Sequence, residues 1–210
     1  MDRKFKKKKK TGYRLFLSFK VPQEVRNIAR DVKRELKNHE YKLRFTDLEQ
    51  LHVTIKFLGN SVSKESLEKV EEAMPNLFSQ YSSFKLKINA VQFGFSSEPK
   101  PKVIFLSIDD PAEVVAMKIK VAEEFKKMEL DDVIRRADRK VFTSHVTVAK
   151  VERDISKSYV KEVNEILEKF TFPEVEFEIT AAHLIKSELT NTGPKYSTIA
   201  TFPLRNRLKL

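Results

Sequence analysis

Leu51-His52-Val53-Thr54-Ile55-Lys56-Phe57-Leu58-Gly59 decides the reading of this chain, because a matching stretch returns 93 residues on (145 − 52) as Phe142-Thr143-Ser144-His145-Val146-Thr147-Val148-Ala149-Lys150. The β-branched and aliphatic composition of each predicts a strand, and alternation sends His and the Thr two residues later to one face. Val53, Ile55 and Phe57, or Val146 and Val148, are then expected in the core. Each stretch therefore offers an imidazole and a hydroxyl on the polar side of a half-buried strand.

A single such stretch reads more readily as a partly buried histidine with a structural partner. A matched pair says more, since two imidazoles across a cleft can act as general base and general acid together. The adjacent hydroxyls suit a phosphoryl group, to which they donate hydrogen bonds without adding charge. His52, His145, Thr54 and Thr147 are thus the candidate catalytic set.

Around these stretches the periodicities predict the order β-α-β-β-α-β-β-α-β-α-β-β. Tyr13–Phe19 reads as a strand, and Pro22 opens a helix with a Val25, Ile28, Ala29, Val32 and Leu36 stripe. Strands follow at Tyr41–Phe45 and Leu51–Leu58, the latter ended by Gly59-Asn60. Ser63 caps a helix to Phe78 that Pro75 ends or kinks. Phe84–Phe93 alternates as a strand, a Pro99/Pro101 turn leads to Val103–Ile108, and Asp110-Pro111-Ala112-Glu113 reads as an N-cap for a helix to Met128. Leu130–Lys140 reads as an irregular loop and Val141–Val151 as the second motif strand. Ser156 caps a helix to Phe170. Val175–Glu188 and Tyr196–Phe202 close the chain around an Asn191-Thr192-Gly193-Pro194 turn.

Each motif strand is followed by a helix and another strand, so the halves look like diverged copies. The expectation is an α+β protein of two lobes related by a pseudo-twofold, whose antiparallel sheets meet at a groove and carry helices on their outer faces. Residues 1–11 are expected to be a disordered basic tail, and 12–210 a single bilobal domain.

Charge and composition narrow the chemistry. The net charge is +11, of which +6 falls in residues 1–10, with seven Lys or Arg and one Asp, leaving +5 elsewhere. That balance suits RNA as partner or a merely solvated surface. Cysteine is absent, which removes disulfides and thiolate chemistry. The glycines are only Gly12, Gly59, Gly94 and Gly193, so a phosphate-binding P-loop is excluded. No acidic residue sits at ligand spacing beside either histidine, and neither metal nor cofactor is expected. No apolar run approaches the ~18 residues of a membrane span. A cytoplasmic monomer is expected.

The two motifs resemble those of the two-histidine phosphoesterase superfamily, and within it the RNA 2′,3′-cyclic phosphodiesterases, historically called 2′-5′ RNA ligases. The resemblance extends to Arg14-Leu15-Phe16, Ser187-Glu188-Leu189, Gly193-Pro194-Lys195-Tyr196 and Phe202-Pro203-Leu204. It implies a bilobal fold and metal-free opening of terminal 2′,3′-cyclic phosphates to 2′-phosphates. It also implies that His145 acts as general base, that His52 acts as general acid, and that Thr54 and Thr147 hold phosphoryl oxygens. Reversible 2′-5′ joining is a further implied activity. Relatives often read Pro-His-Val-Thr-Leu-Ala-Arg in the second motif, where this chain has Ser144 and Lys150. Lysine keeps the charge but lacks the bidentate fork.

Candidate substrate contacts are Lys56 and Lys150 for phosphate, Arg14 and Phe16 on the first strand, and Ser187 and Tyr196 near the C-terminus. For several of these a plainer role also suffices: solvated lysine for Lys56, core packing for Phe16 and Tyr196. A non-catalytic RNA- or nucleotide-binding module, and a phosphodiesterase on 2′-5′ oligonucleotides or cyclic nucleotides, are the alternatives.

Overall fold

The computed structural model describes residues 12–95, 100–128, 143–191 and 193–206. The basic tail, the charged 130–140 segment, most of the first proline turn, Phe142 and Thr192 lie outside the described residues. In chain order the elements are β1 (Tyr13–Lys20), α1 (Gln23–Glu35), β2 (Leu43–Phe45), β3 (His52–Val62), α2 (Lys64–Phe78), β4 (Phe84–Phe93) and β5 (Val103–Asp109). Then come α3 (Ala112–Lys127), β6 (His145–Val151), α4 (Lys157–Lys169), β7 (Glu176–Ile179), β8 (Ala181–Thr190) and β9 (Gly193–Pro203).

The α+β class and the two antiparallel lobes are as expected. One lobe runs β3-β1-β8-β9 and the other β7-β4-β5-β6, with β2 also on β6. They join through a ladder contact between β3 and β6 at Val53 and Val146. The sheet curls strongly: only Thr180 separates β7, at one edge of the strand order, from β8, near the other. The C-terminal strand end closes this gap, with Leu204 N–H on Thr180 O, Arg205 N–H on Tyr81 O and Ser83 N–H on Arg205 O.

The lobes exchange strands. β4 follows the first motif in sequence yet pairs in the second lobe, and β8 follows the second motif yet pairs in the first. The single strand expected over Val175–Glu188 is therefore two, divided where the chain changes lobes. Each half contributes to both cores, and the buried apolar residues form one cluster.

Helix signals translate directly. Val25, Ile28, Ala29, Val32 and Leu36 are all buried, each of the four larger side chains contributing roughly 1.5–3 kcal/mol. Ser63 and Ser156 accept the N–H of Ser66 and Tyr159 as N-caps. Three local expectations are corrected. Pro75 does not end α2: it sits in the last turn, and its carbonyl still accepts the Ser79 N–H at 3.0 Å. Gly59-Asn60 does not end β3, because β1 continues to pair with it as far as Tyr13 and Val62. Asp110 does not cap α3, since its carboxylate is committed elsewhere. No described helix is long and apolar enough to cross a membrane.

Candidate active site

The register of the central strands builds the site. Antiparallel neighbours share a sheet face, so the Val53–Val146 pair sets His52 against Thr147 and Thr54 against His145. The imidazoles occupy one diagonal of this four-residue patch and the hydroxyls the other. Ladder spacings put the two histidine Cα atoms about 8 Å apart.

Both motif strands slip register just after the threonine. Opposite β1, Ser18 faces Thr54 while Leu17 faces Lys56. Opposite β5, Phe105 faces Thr147 while Ile104 faces Ala149. Each slip inserts one residue and moves the position five beyond the histidine onto the groove face. There stand Phe57, opposite Phe16, and Lys150, opposite Val103. Thr46 N–H holds the second slip through Val148 O at 2.8 Å.

This corrects the faces predicted by strict alternation. Lys56, expected beside His52 and Thr54, instead pairs with the core residue Leu17 and is 4% exposed. Phe57, expected in the core, takes the groove side with the Arg14 guanidinium 4.7 Å above its ring. Arg14 also donates to Asn60 Oδ1.

Each histidine is held in the same way. His52 Nδ1 lies 2.8 Å from Gln50 O, and His145 Nδ1 lies 3.0 Å from Thr143 O. A carbonyl can only accept, so Nδ1 donates in both rings and Nε2 is left for chemistry. Two aromatic rings flank each imidazole: Phe16 and Tyr196 at 4.8 and 5.4 Å from His52, Phe105 and Phe95 at 5.5 and 5.3 Å from His145. Gly94, at φ +76°, makes the turn that brings Phe95 to His145. Sequence reasoning missed Phe95 and Phe105, which carry no motif signal.

Burial is the main reason both imidazoles titrate below their ordinary 6.5; the backbone hydrogen bonds oppose it, and each ring also feels nearby positive charge. For His52 that charge is His145 and Lys150, and for His145 it is Lys118, with Asp110 opposing. Removal of hydration costs the charged form more than the neutral one.

Beside the patch opens a cavity of about 670 Å³. Its wall includes His52, Thr147, Lys150, Arg44, Lys195 and Tyr196. Three cations and an aromatic ring thus adjoin the His52–Thr147 side of the patch, while His145 and Thr54 are not on this cavity's wall. Arg44 is the register partner of Lys150 on the neighbouring strand, and Lys150 sits below its ordinary value through partial burial and then the charges of Arg44 and Arg14. Arg44 and Lys195 were not among the sequence-derived candidates: nothing local marks Arg44, and of the Gly193-Pro194-Lys195-Tyr196 stretch only Tyr196 was singled out.

The remaining candidates fall into place unevenly. Tyr196 is on the cavity wall. Phe16 is 5% exposed beneath His52 and Tyr196, where it supports the imidazole. Ser187 pairs with Tyr196 and is 5% exposed, with its hydroxyl lacking a hydrogen-bond partner among the described residues. Among the described residues no three His, Cys, Asp or Glu side chains are grouped to hold a metal ion.

The family model described as the 2′-5′ RNA ligase superfamily matches residues 21–191. The chain is 25% identical over 194 residues to an RNA 2′,3′-cyclic phosphodiesterase of Methanothermobacter thermautotrophicus, covering 91% of this chain and 98% of that protein. It is 27% identical over 188 residues to one of Methanocaldococcus jannaschii, covering 89% and 98%. Among solved structures it resembles a protein of Thermus thermophilus with a TM-score of 0.73 at 21% identity, covering 92% and 98%. It also resembles apo LigT of E. coli with a TM-score of 0.65 at 17% identity, covering 93% and 99%.

Proposed function

Because this chain belongs to the 2′-5′ RNA ligase superfamily, we propose that it is an RNA 2′,3′-cyclic phosphodiesterase that opens terminal cyclic phosphates to 2′-phosphates by two-histidine acid–base catalysis. The observation that carries the reading is the pair of imidazoles, each with Nδ1 spent on a backbone carbonyl and Nε2 left for proton transfer. The relatives bearing that name match along nearly their whole length, which supports the same substrate class here.

In the proposed step His145 Nε2 takes a proton from water as the water oxygen bonds to phosphorus. The P–O3′ bond breaks, and His52, protonated at Nε2, gives its proton to the departing 3′ oxygen. Thr54 and Thr147 donate to the non-bridging oxygens as their charge rises. Arg14, Arg44, Lys150 and Lys195 hold the RNA phosphates nearby, and Phe16 keeps the His52 ring in place. An RNA 5′-hydroxyl in place of water would form a 2′-5′ linkage by the same chemistry.

The test is a short RNA ending in a 2′,3′-cyclic phosphate, incubated with the protein in chelator, with 2′- and 3′-phosphate products resolved. The expected result is 2′-phosphate alone, lost in both His52→Ala and His145→Ala. Stoichiometric RNA binding with no turnover would replace the enzyme with a binding module.

A further inference from the structure

Behind β6 lies a buried ion pair that the proposed reaction does not use. Lys118 of α3, its side chain 4% exposed, donates to both oxygens of Asp110 at 3.1 and 3.0 Å and to Ser144 Oγ at 2.7 Å. Asp110 also accepts the Ser144 N–H at 2.9 Å. Enclosing two opposite charges is a poor way to gain stability, because their desolvation offsets most of their attraction. This knot ends one peptide bond from His145.

We propose that the Asp110–Lys118 pair, clamped on Ser144, is the positioning unit of His145, orienting its imidazole and setting its proton affinity; this rests on reading His145 as the general base. Ser144 is held at both of its peptides: its N–H by Asp110, and its carbonyl O by the Ile108 N–H at 3.2 Å. That fixes the chain next to Thr143 O, the acceptor of His145 Nδ1. Among the described residues the charged or titratable groups that bear on His145 are Lys118, Asp110 and, across the groove, His52; β5 sets Ser107 opposite it and Phe105 beside it, and the turn after β4 brings Phe95.

The first motif has no counterpart, since the residue before His52 is the buried apolar Leu51. The knot therefore breaks the near-symmetry of the two histidines at one of them only. It also gives Ser144 a purpose that proline could not serve, because proline has no N–H to give Asp110 and no hydroxyl for Lys118.

The experiment follows the titration of both histidines by NMR in the full chain, beside kcat and KM on the cyclic-phosphate RNA. The variants are Lys118→Met, Asp110→Asn and the double substitution, with folding checked by their amide spectra. Lys118→Met should raise the His145 midpoint and Asp110→Asn should lower it, while the double returns it toward wild type and His52 moves little. In each folded variant kcat should fall roughly 10- to 100-fold with KM changed less than about twofold. Unmoved His145 midpoints in folded single variants would overturn the proposal, as would equal shifts of His52 and His145. Should the singles not fold, a folded double with wild-type kcat would overturn it. If the wild type turns over no RNA, the functional reading fails, and the titration still decides the positioning role.

Discussion

Val53 of β3 pairs with Val146 of β6, and this contact between two buried valines places each motif's histidine against the other motif's threonine. The proposed functional unit is thus His52 with Thr147, and His145 with Thr54, rather than either His-x-Thr alone.

The cross-strand arrangement predicts which substitutions interact. His52→Ala and His145→Ala should each lower kcat by on the order of 10²–10⁴. A double-mutant cycle on His52 and Thr147→Val should show a coupling of roughly 0.5–3 kcal/mol in transition-state stabilisation. Additive effects at that pair would remove the proposed geometry.

The pH profile should lie on the acid side of an unperturbed histidine pair. Both imidazoles titrate below 6.5 because they are buried, and kcat/KM reports the free enzyme as two coupled values. Its bell should therefore peak below about pH 6.5. The bound phosphate should move the kcat profile to higher pH, and a kcat/KM maximum above that point would contradict the burial of the free site.

Salt should report the cationic wall. Arg44→Met and Lys150→Met should each raise KM and reduce the dependence of log KM on log salt by about one phosphate contact. Lys150→Arg should keep the charge and tighten binding through its planar fork. Unchanged salt slopes would place the RNA backbone elsewhere.

His183 predicts a stability window. On β8 opposite Ser18, its Nδ1 lies 3.1 Å from Thr201 Oγ1, and burial, with the charge of Lys20, lowers it to about 4. The unfolded chain therefore binds a proton at a pH where the folded one does not. The stabilisation is fully present above 6.5 and is lost as pH falls toward about 4,. Urea melts across that range should show a smaller acid loss for His183→Gln than for wild type; an identical loss would assign it to other groups.

Much of this protein is determined by its sequence alone. Local rules place the strands and helices, since periodicity, Ser63 and Ser156 caps and the α1 stripe act within a few residues. The paired motifs likewise mark His52, Thr54, His145 and Thr147, because chemistry and period coincide there. What only the tertiary structure decided is long range. The register slips that bury Lys56 and bring Phe57 and Lys150 to the groove arise from pairing with β1 and β5. The exchange of β4 and β8 between lobes follows from closing a curled sheet, which no local propensity encodes. Asp110 shows the difference most clearly: its sequence context predicts a helix cap, yet the fold buries it against Lys118 and Ser144. A buried charge is governed by whichever partner the packing brings to it, and that partner is set by the fold.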